Sequence, residues 1–302
     1  MSKKNLLLAT STFGENLEKK HLYNLRKEFN ITFNPYKRKL TKKELIILLN
    51  DNNIEYVIAG LESYDAEVLD NSKIKIISRL GSGTSNIDQK LTKMKKIKVF
   101  STPKAPVDAV SELTLGMMIS LLRNSTKMNS SMHQKTWKRL PGNLLKDKSV
   151  LIVGYGNIGK NLERLLRPFK ANVILCDINF KSNKTNTFKS LSKAIPKADI
   201  ISFHVDKDIN LMNAKEFKLL KKGVIILNSS RGGVINEDLL IQYIKNKKIE
   251  SAWIDVFPEE PYKGKLCGLE NVLLTPHVGS FTIETRRNME INAIKNITDN
   301  IK

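Results

Sequence analysis

Three polar residues each follow an apolar run: Arg231 after VIILNSS, Glu260 after WIDVFPE, and His277 at the end of VLLTPH. Such runs read as buried parallel strands, and open α/β sheets bind ligands at the carboxyl ends of their strands. A guanidinium is a planar fork of five donors that keeps its charge, which suits a carboxylate or phosphate. An imidazole exchanges protons near neutral pH, and a neighbouring carboxylate fixes its tautomer and favours its protonated form. Glu260 is the candidate for that carboxylate, with Glu259 beside it as its control. His277 stands between Pro276, which stiffens the chain, and Val278-Gly279, which lets it turn. Taken singly, each residue has an ordinary explanation. Together they can grip a carboxylate, polarise the adjacent carbonyl and move a proton. Of the other histidines, His21 and His133 lie in helical, lysine-rich surroundings and are expected to be solvated, whereas His204 ends IISFH and could line a cofactor crevice.

A dinucleotide site is written upstream. VLIVGYGNIGKNLERLL places Gly154, Tyr155, Gly156, Asn157, Ile158 and Gly159 between a strand and a helix. Gly154 permits the tight turn, Gly156 lets the backbone approach a pyrophosphate, and Gly159 allows close helix–strand packing. Free amides at the helix start face the anion. Further on, VILCD ends in Asp177, which can accept hydrogen bonds from the adenosine ribose hydroxyls and would repel a 2′-phosphate. This favours NAD over NADP, although Lys181 and Lys184 follow closely and weigh the other way.

These residues need strand ends to stand on, and the rest of the chain supplies them. NLLLAT, YVIAG, IKIISRL and KVFST are strand candidates in the first third, separated by helical stretches at 16–29 and 41–52. After STPKAP, a helix opens at Asp108 and runs apolar and Met-rich for four turns, as core or subunit interface. A second series follows: SVLIVG, NVILCD, ADIISFH, GVIILNS, SAWIDV and NVLLTPH. Two such series predict an α/β protein with two doubly wound parallel-sheet domains. The last helix, at 282–301, has no sheet of its own to follow; whether it packs back on the first domain is open at this level.

Composition narrows the class. The 302 residues suffice for two domains, and 41% hydrophobic content argues for a globular chain. No apolar run approaches the ~20 residues a membrane span needs. The amino-terminal run lacks a small-residue cleavage site, and Cys176 and Cys267 form no CxxC, so a cytoplasmic protein without metal site or disulfide framework is expected. The balance of 51 basic to 30 acidic residues gives +21. The lysines are dispersed, without aromatic interleaving, which argues against nucleic acid and for a field that attracts small anions.

With these residues in view, the sequence resembles the D-isomer-specific 2-hydroxyacid dehydrogenases, and within them most closely the phosphoglycerate dehydrogenase branch. The matching segments are RLGSGTSNID at 79–88, DAVSELTLGMM at 108–118, VGYGNIGK at 153–160, NSSRGGVINEDLL at 228–240, AWIDVFPEEP at 252–261 and TPHVGS at 275–280. The resemblance implies a central Rossmann NAD-binding domain over 101–279. It also implies a discontinuous flavodoxin-like substrate domain, 1–100 completed by 280–302, and a homodimer. It makes Arg231 the carboxylate-binding arginine, His277 the acid/base and Glu260 its supporting acid. Ser82 and Gly83 fall where backbone amides hold the substrate carboxylate. Asn157, Ile158, Asp177, Val205, Ser229, Ser230 and Asp255 match cofactor-contacting positions, with His204, His277 and Gly279 beside them. The implied substrate is a small anionic 2-hydroxy or 2-oxo acid.

Some segments depart from the pattern. After SFHV the family usually continues with Pro-Leu-Thr and a longer loop; here the chain reads DKDINLMN. Lys104 and Pro106 replace a common glycine and asparagine, and the loop after YVIAG lacks the arginine that some phosphoglycerate enzymes carry. A glyoxylate or hydroxypyruvate reductase is the alternative enzyme, and a nucleotide-sensing corepressor-like scaffold the alternative class. The intact Arg–Glu–His set argues against the latter.

Overall fold

The computed structural model describes residues 3–15, 17–180 and 186–301. The chain divides into two compact units, Met1–Pro106 with Ser280–Lys302, and Val107–Gly279.

In the first unit, β1 (Lys4–Leu8), α1 (Lys19–Glu28), β2 (Phe29–Phe33), α2 (Lys42–Asp51), β3 (Tyr56–Ala59), α3 (Ala66–Asp70), β4 (Ile76–Arg79), α4 (Gln89–Met94) and β5 (Lys98–Phe100) alternate along the chain. The strands form a parallel sheet ordered β2-β1-β3-β4-β5. Alternation along each strand feeds two cores: Leu6, Leu8, Tyr56 and Ile58 face one layer, Leu7, Val57 and Ala59 the other. A sheet covered on both faces therefore has no polar side. Helix α2 starts on a capping box, Thr41 with Glu44. Strand β2 is absent from the strands read in the sequence. Its FNITF continues directly from α1 and lies at the sheet edge, only partly buried, so it carries little apolar signal.

The second unit contains α5 (Val107–Leu122), α6 (Ser125–His133), β6 (Ser149–Val153), α7 (Asn157–Leu166), β7 (Asn172–Cys176), β8 (Thr187–Phe188), α8 (Leu191–Ala194), β9 (Ile200–Phe203), α9 (Ala214–Lys218), β10 (Val224–Asn228), α10 (Glu237–Lys245), β11 (Ile249–Ile254) and β12 (Val272–Leu274). Its seven parallel strands run β12-β11-β10-β9-β6-β7-β8. The order reverses at β6, so a crevice opens beyond the carboxyl ends of β6 and β9. Leu151 and Val153 pack into one core layer, Val150 and Ile152 into the other with Met118, Leu162 and Trp253.

The last helix, α11 (Ile283–Thr298), belongs to the first unit. Thr282 caps it, and Met289, Ala293 and Ile297 are buried against the first sheet. Asn296 donates to Ser78 Oγ at 3.2 Å, tying the helix to β4.

Candidate active site

The ends of β7, β9, β10, β11 and β12 carry the polar residues singled out in the sequence, beside the glycine turn that ends β6. At the end of β6, Gly154 has φ +96°, and a Cβ there would stand 2.5 Å from the carbonyl oxygen of His204. Only glycine lets this turn pass the end of β9. Tyr155 donates its amide to Asp177 Oδ2 at 2.8 Å, and Asn179 donates to Oδ1 at 2.8 Å. The acid at the end of β7 is thereby held in one orientation beside the glycine turn. The Tyr155 ring lies 5.4 Å from that of Phe180, and its hydroxyl bonds Glu163, which pushes the phenol up to about 12. Lys181 and Lys184 lie outside the described residues.

At the end of β10, Asn228 organises the loop that carries Arg231. Its Oδ1 accepts Ser230 N–H and Oγ–H, and its Nδ2 donates to the Arg231 carbonyl at 2.9 Å. The guanidinium donates from Nη1 to the Ser230 carbonyl at 2.6 Å. The half-buried guanidinium has no ion pair with an acid among the described residues. Asn228 was not among the sequence candidates; a polar residue closing an apolar strand was the available signal.

His277 and Glu260 meet although they are 17 residues apart: Nδ1 lies 2.9 Å from Oε2 and 3.1 Å from Oε1. Oε1 also accepts Phe257 N–H at 3.1 Å, so the carboxylate is anchored to its own loop. The pair leaves Nε2 as the ring nitrogen directed elsewhere. His277 adopts φ +54°, a left-handed conformation uncommon for a residue with a side chain. It is held there by its neighbours. Asp255, buried at the end of β11, accepts Val278 N–H at Oδ1 and Gly279 N–H at Oδ2, each at 2.9 Å. Trp253 Nε1 donates to Thr275 Oγ1, and that hydroxyl donates to Asp255. Burial pushes the Asp255 carboxyl up while these donors pull it down.

Two further groups line the same edge. His204 Nε2 is 2.8 Å from Ser202 Oγ, while its Nδ1 is buried without a partner; desolvation holds the imidazole down at about 4. The Ser229 hydroxyl is likewise buried and unpartnered. In the first unit, Ser82 is exposed and Gly83 half-buried in the loop following β4.

Comparison with known proteins assigns the family. The model described as D-isomer specific 2-hydroxyacid dehydrogenase, NAD binding domain, matches residues 115–279. A hydroxypyruvate reductase of Thermotoga maritima is 32% identical over 85% of this chain and 88% of its own. The chain belongs to the D-isomer specific 2-hydroxyacid dehydrogenases. A D-3-phosphoglycerate dehydrogenase of this family from Methanocaldococcus jannaschii is 33% identical over 82% of this chain, which spans about half (49%) of that longer protein. The crystal structure of a glyoxylate reductase from Paecilomyes thermophila shares the fold, with TM-score 0.89 over 100% of this chain and 96% of that one, at 22% identity. As a member of the family, the protein is an NAD-dependent oxidoreductase acting on the CH–OH group of 2-hydroxy acids.

The second unit of this dehydrogenase fits NAD. A Cβ on Gly156 would meet nothing within 4 Å, so the turn opens on free space, and α7 begins there without a side-chain cap. The unpartnered Ser229 hydroxyl and His204 Nδ1 are polar atoms in want of a ligand. Ser230 and Asp255 differ: the Ser230 hydroxyl is engaged by Asn228, and the Asp255 oxygens by Thr275, Val278 and Gly279. Val205 packs its side chain on the core. Among the described residues, no helix is long and apolar enough to cross a membrane.

Proposed function

We propose that the protein interconverts a small 2-hydroxy acid and its 2-oxo acid, with His277 as acid/base, Glu260 as its supporting carboxylate and Arg231 as the substrate grip. The observation that carries this reading is the 2.9 Å contact of His277 Nδ1 with Glu260, which leaves Nε2 for the substrate oxygen. In the direction of reduction, NADH, when bound, would supply the hydride to the 2-carbon. Protonated His277 gives the carbonyl oxygen its proton, and Glu260 stabilises the imidazolium before that transfer. Arg231 neutralises the carboxylate and draws electron density from the neighbouring carbonyl. The backbone of Ser82 and Gly83 is the proposed second hold on the carboxylate. Asp177 would favour NAD by excluding a 2′-phosphate, and the amides of Gly156, Asn157 and Ile158 would hold the pyrophosphate. The charge of +21 supports attraction of small anions.

For the substrate we propose a three-carbon acid, as in the phosphoglycerate and hydroxypyruvate enzymes among the relatives. One sequence feature favours an uncharged third carbon: the loop after β3 lacks the arginine that some phosphoglycerate enzymes carry. A homodimer is also proposed: Met132, Trp137 and Leu144 are 51%, 79% and 69% exposed in one stretch, apolar surface that a second copy would cover. The free thiols Cys176 and Cys267 suit a cytoplasmic location.

The test is oxidation of NADH or NADPH with glyoxylate, hydroxypyruvate, pyruvate and phosphohydroxypyruvate. Turnover of hydroxypyruvate with NADH is the expected result. NADH binding without turnover of any 2-oxo acid would instead support the scaffold reading.

A further inference from the structure

The segment after His204, where this chain departs from its family, does structural work beside Arg231. It runs along the loop beyond β10: Leu211 and Met212 donate their amides to the Val234 carbonyl at 2.9 and 3.0 Å, and Asn236 donates to the Met212 carbonyl at 3.1 Å. At its head, Asp208 Oδ1 accepts the amide of Gly233 at 2.8 Å. Gly233 is the middle residue of the 3-10 turn Gly232–Val234 that directly follows Arg231. The first amides of such a turn have no partner within it, so an outside acceptor decides whether the turn is held or loose. The fit is close: a Cβ on Gly233 would stand 2.6 Å from the same oxygen.

The other sides of the loop are already fixed, by Asn228 on the Arg231 carbonyl and by Gly232 packed on the Phe257 backbone. We infer that Asp208 is a positioning residue for Arg231, its side-chain oxygen completing the cradle that aims the guanidinium at the substrate carboxylate. The inference rests on the proposed role of Arg231 as substrate grip. The oxygen does this, not the charge. Asp208 is exposed, and a carboxylate bonded to Gly233, two residues after the grip, repels an incoming anion. An amide in its place keeps the acceptor and removes that repulsion.

The experiment measures oxalate binding to the NADH-loaded enzyme by calorimetry, for wild type, Asp208→Ala, Asp208→Asn and Arg231→Ala. Asp208→Ala should weaken oxalate about fivefold, the worth of one ordinary hydrogen bond. Asp208→Asn should bind oxalate at least as tightly as wild type. NADH affinity and the unfolding midpoint should stay near wild type in both, because the side chain is exposed. Arg231→Ala should abolish oxalate binding; if it does not, the reading of Arg231 fails. If Arg231→Ala abolishes binding while Asp208→Ala matches wild type, the positioning role alone is overturned. Equal loss in Asp208→Asn and Asp208→Ala overturns it as well, as does a loss that tracks a lowered unfolding midpoint.

Discussion

Gly232 rests directly on the backbone of Phe257: a Cβ at this position would stand 2.1 Å from the Phe257 carbonyl carbon and 2.3 Å from its oxygen. The contact locks the loop carrying Arg231 against the loop carrying Glu260. Two strand ends that share no sequence neighbourhood are thus fixed relative to each other at a point where backbone meets backbone.

Gly232→Ala should therefore separate those loops. Overpacking of this kind costs about 1–3 kcal/mol, and displacement of Arg231 should lower kcat/KM for a 2-oxo acid by about tenfold or more. NADH affinity should change far less. Steady-state kinetics beside NADH fluorescence titration measures both, and an alanine variant with normal kcat/KM would show that the loop tolerates the shift.

His277→Ala should lower kcat by about 100-fold or more, the usual range for a general acid–base group. Glu260→Gln keeps the size of the side chain but removes the charge that favours imidazolium. Its kcat in reduction should fall by about tenfold or more while NADH affinity stays near that of wild type. A Glu260→Gln enzyme with wild-type kcat would refute the pairing.

Asp177→Ala should raise activity with NADPH relative to NADH. The acid has one carboxylate oxygen fixed by Tyr155 and the other by Asn179, so it cannot swing aside for a 2′-phosphate. The ratio of kcat/KM for the two cofactors is the measurement. A wild-type enzyme that uses both equally would mean the acid does not discriminate.

His204 should make the cofactor-free protein sensitive to acid. Burial holds its imidazole at about 4, against about 6.5 in an unfolded chain. Between those values the unfolded state takes up a proton that the folded state does not. Stability present above pH 6.5 is therefore lost as pH falls toward 4, by roughly 3 kcal/mol in all. Urea unfolding at pH 7.0, 5.5 and 4.5 should show a shallower loss for His204→Asn; equal slopes would place the wild-type imidazole in solvent.

Much of the candidate site was legible because its signals are local. A strand, a glycine turn, a helix and an acid at the next strand end occupy residues 150–177 without interruption, and each position has a steric or electrostatic reason readable from residue type. The apolar runs marked all but the weakest strands, since a strand buried on both faces needs apolar residues throughout. Strand β2, half-exposed at an edge, and the two-residue β8 lack that requirement and left no trace.

What the tertiary structure alone decided is how distant residues support the candidate catalytic ones. The sequence marked Arg231, Glu260 and His277 by their positions at strand ends, but not that Asp255 holds the His277 turn through Gly279, 24 residues away. Nor did it mark Asp208, which reaches Gly233 across 25 residues. The return of α11 to the first sheet was open in the same way. Periodicity and turn chemistry act over a few residues, whereas these contacts arise where parallel strands end side by side. That adjacency is set by strand order and register, and no short stretch of chain encodes it.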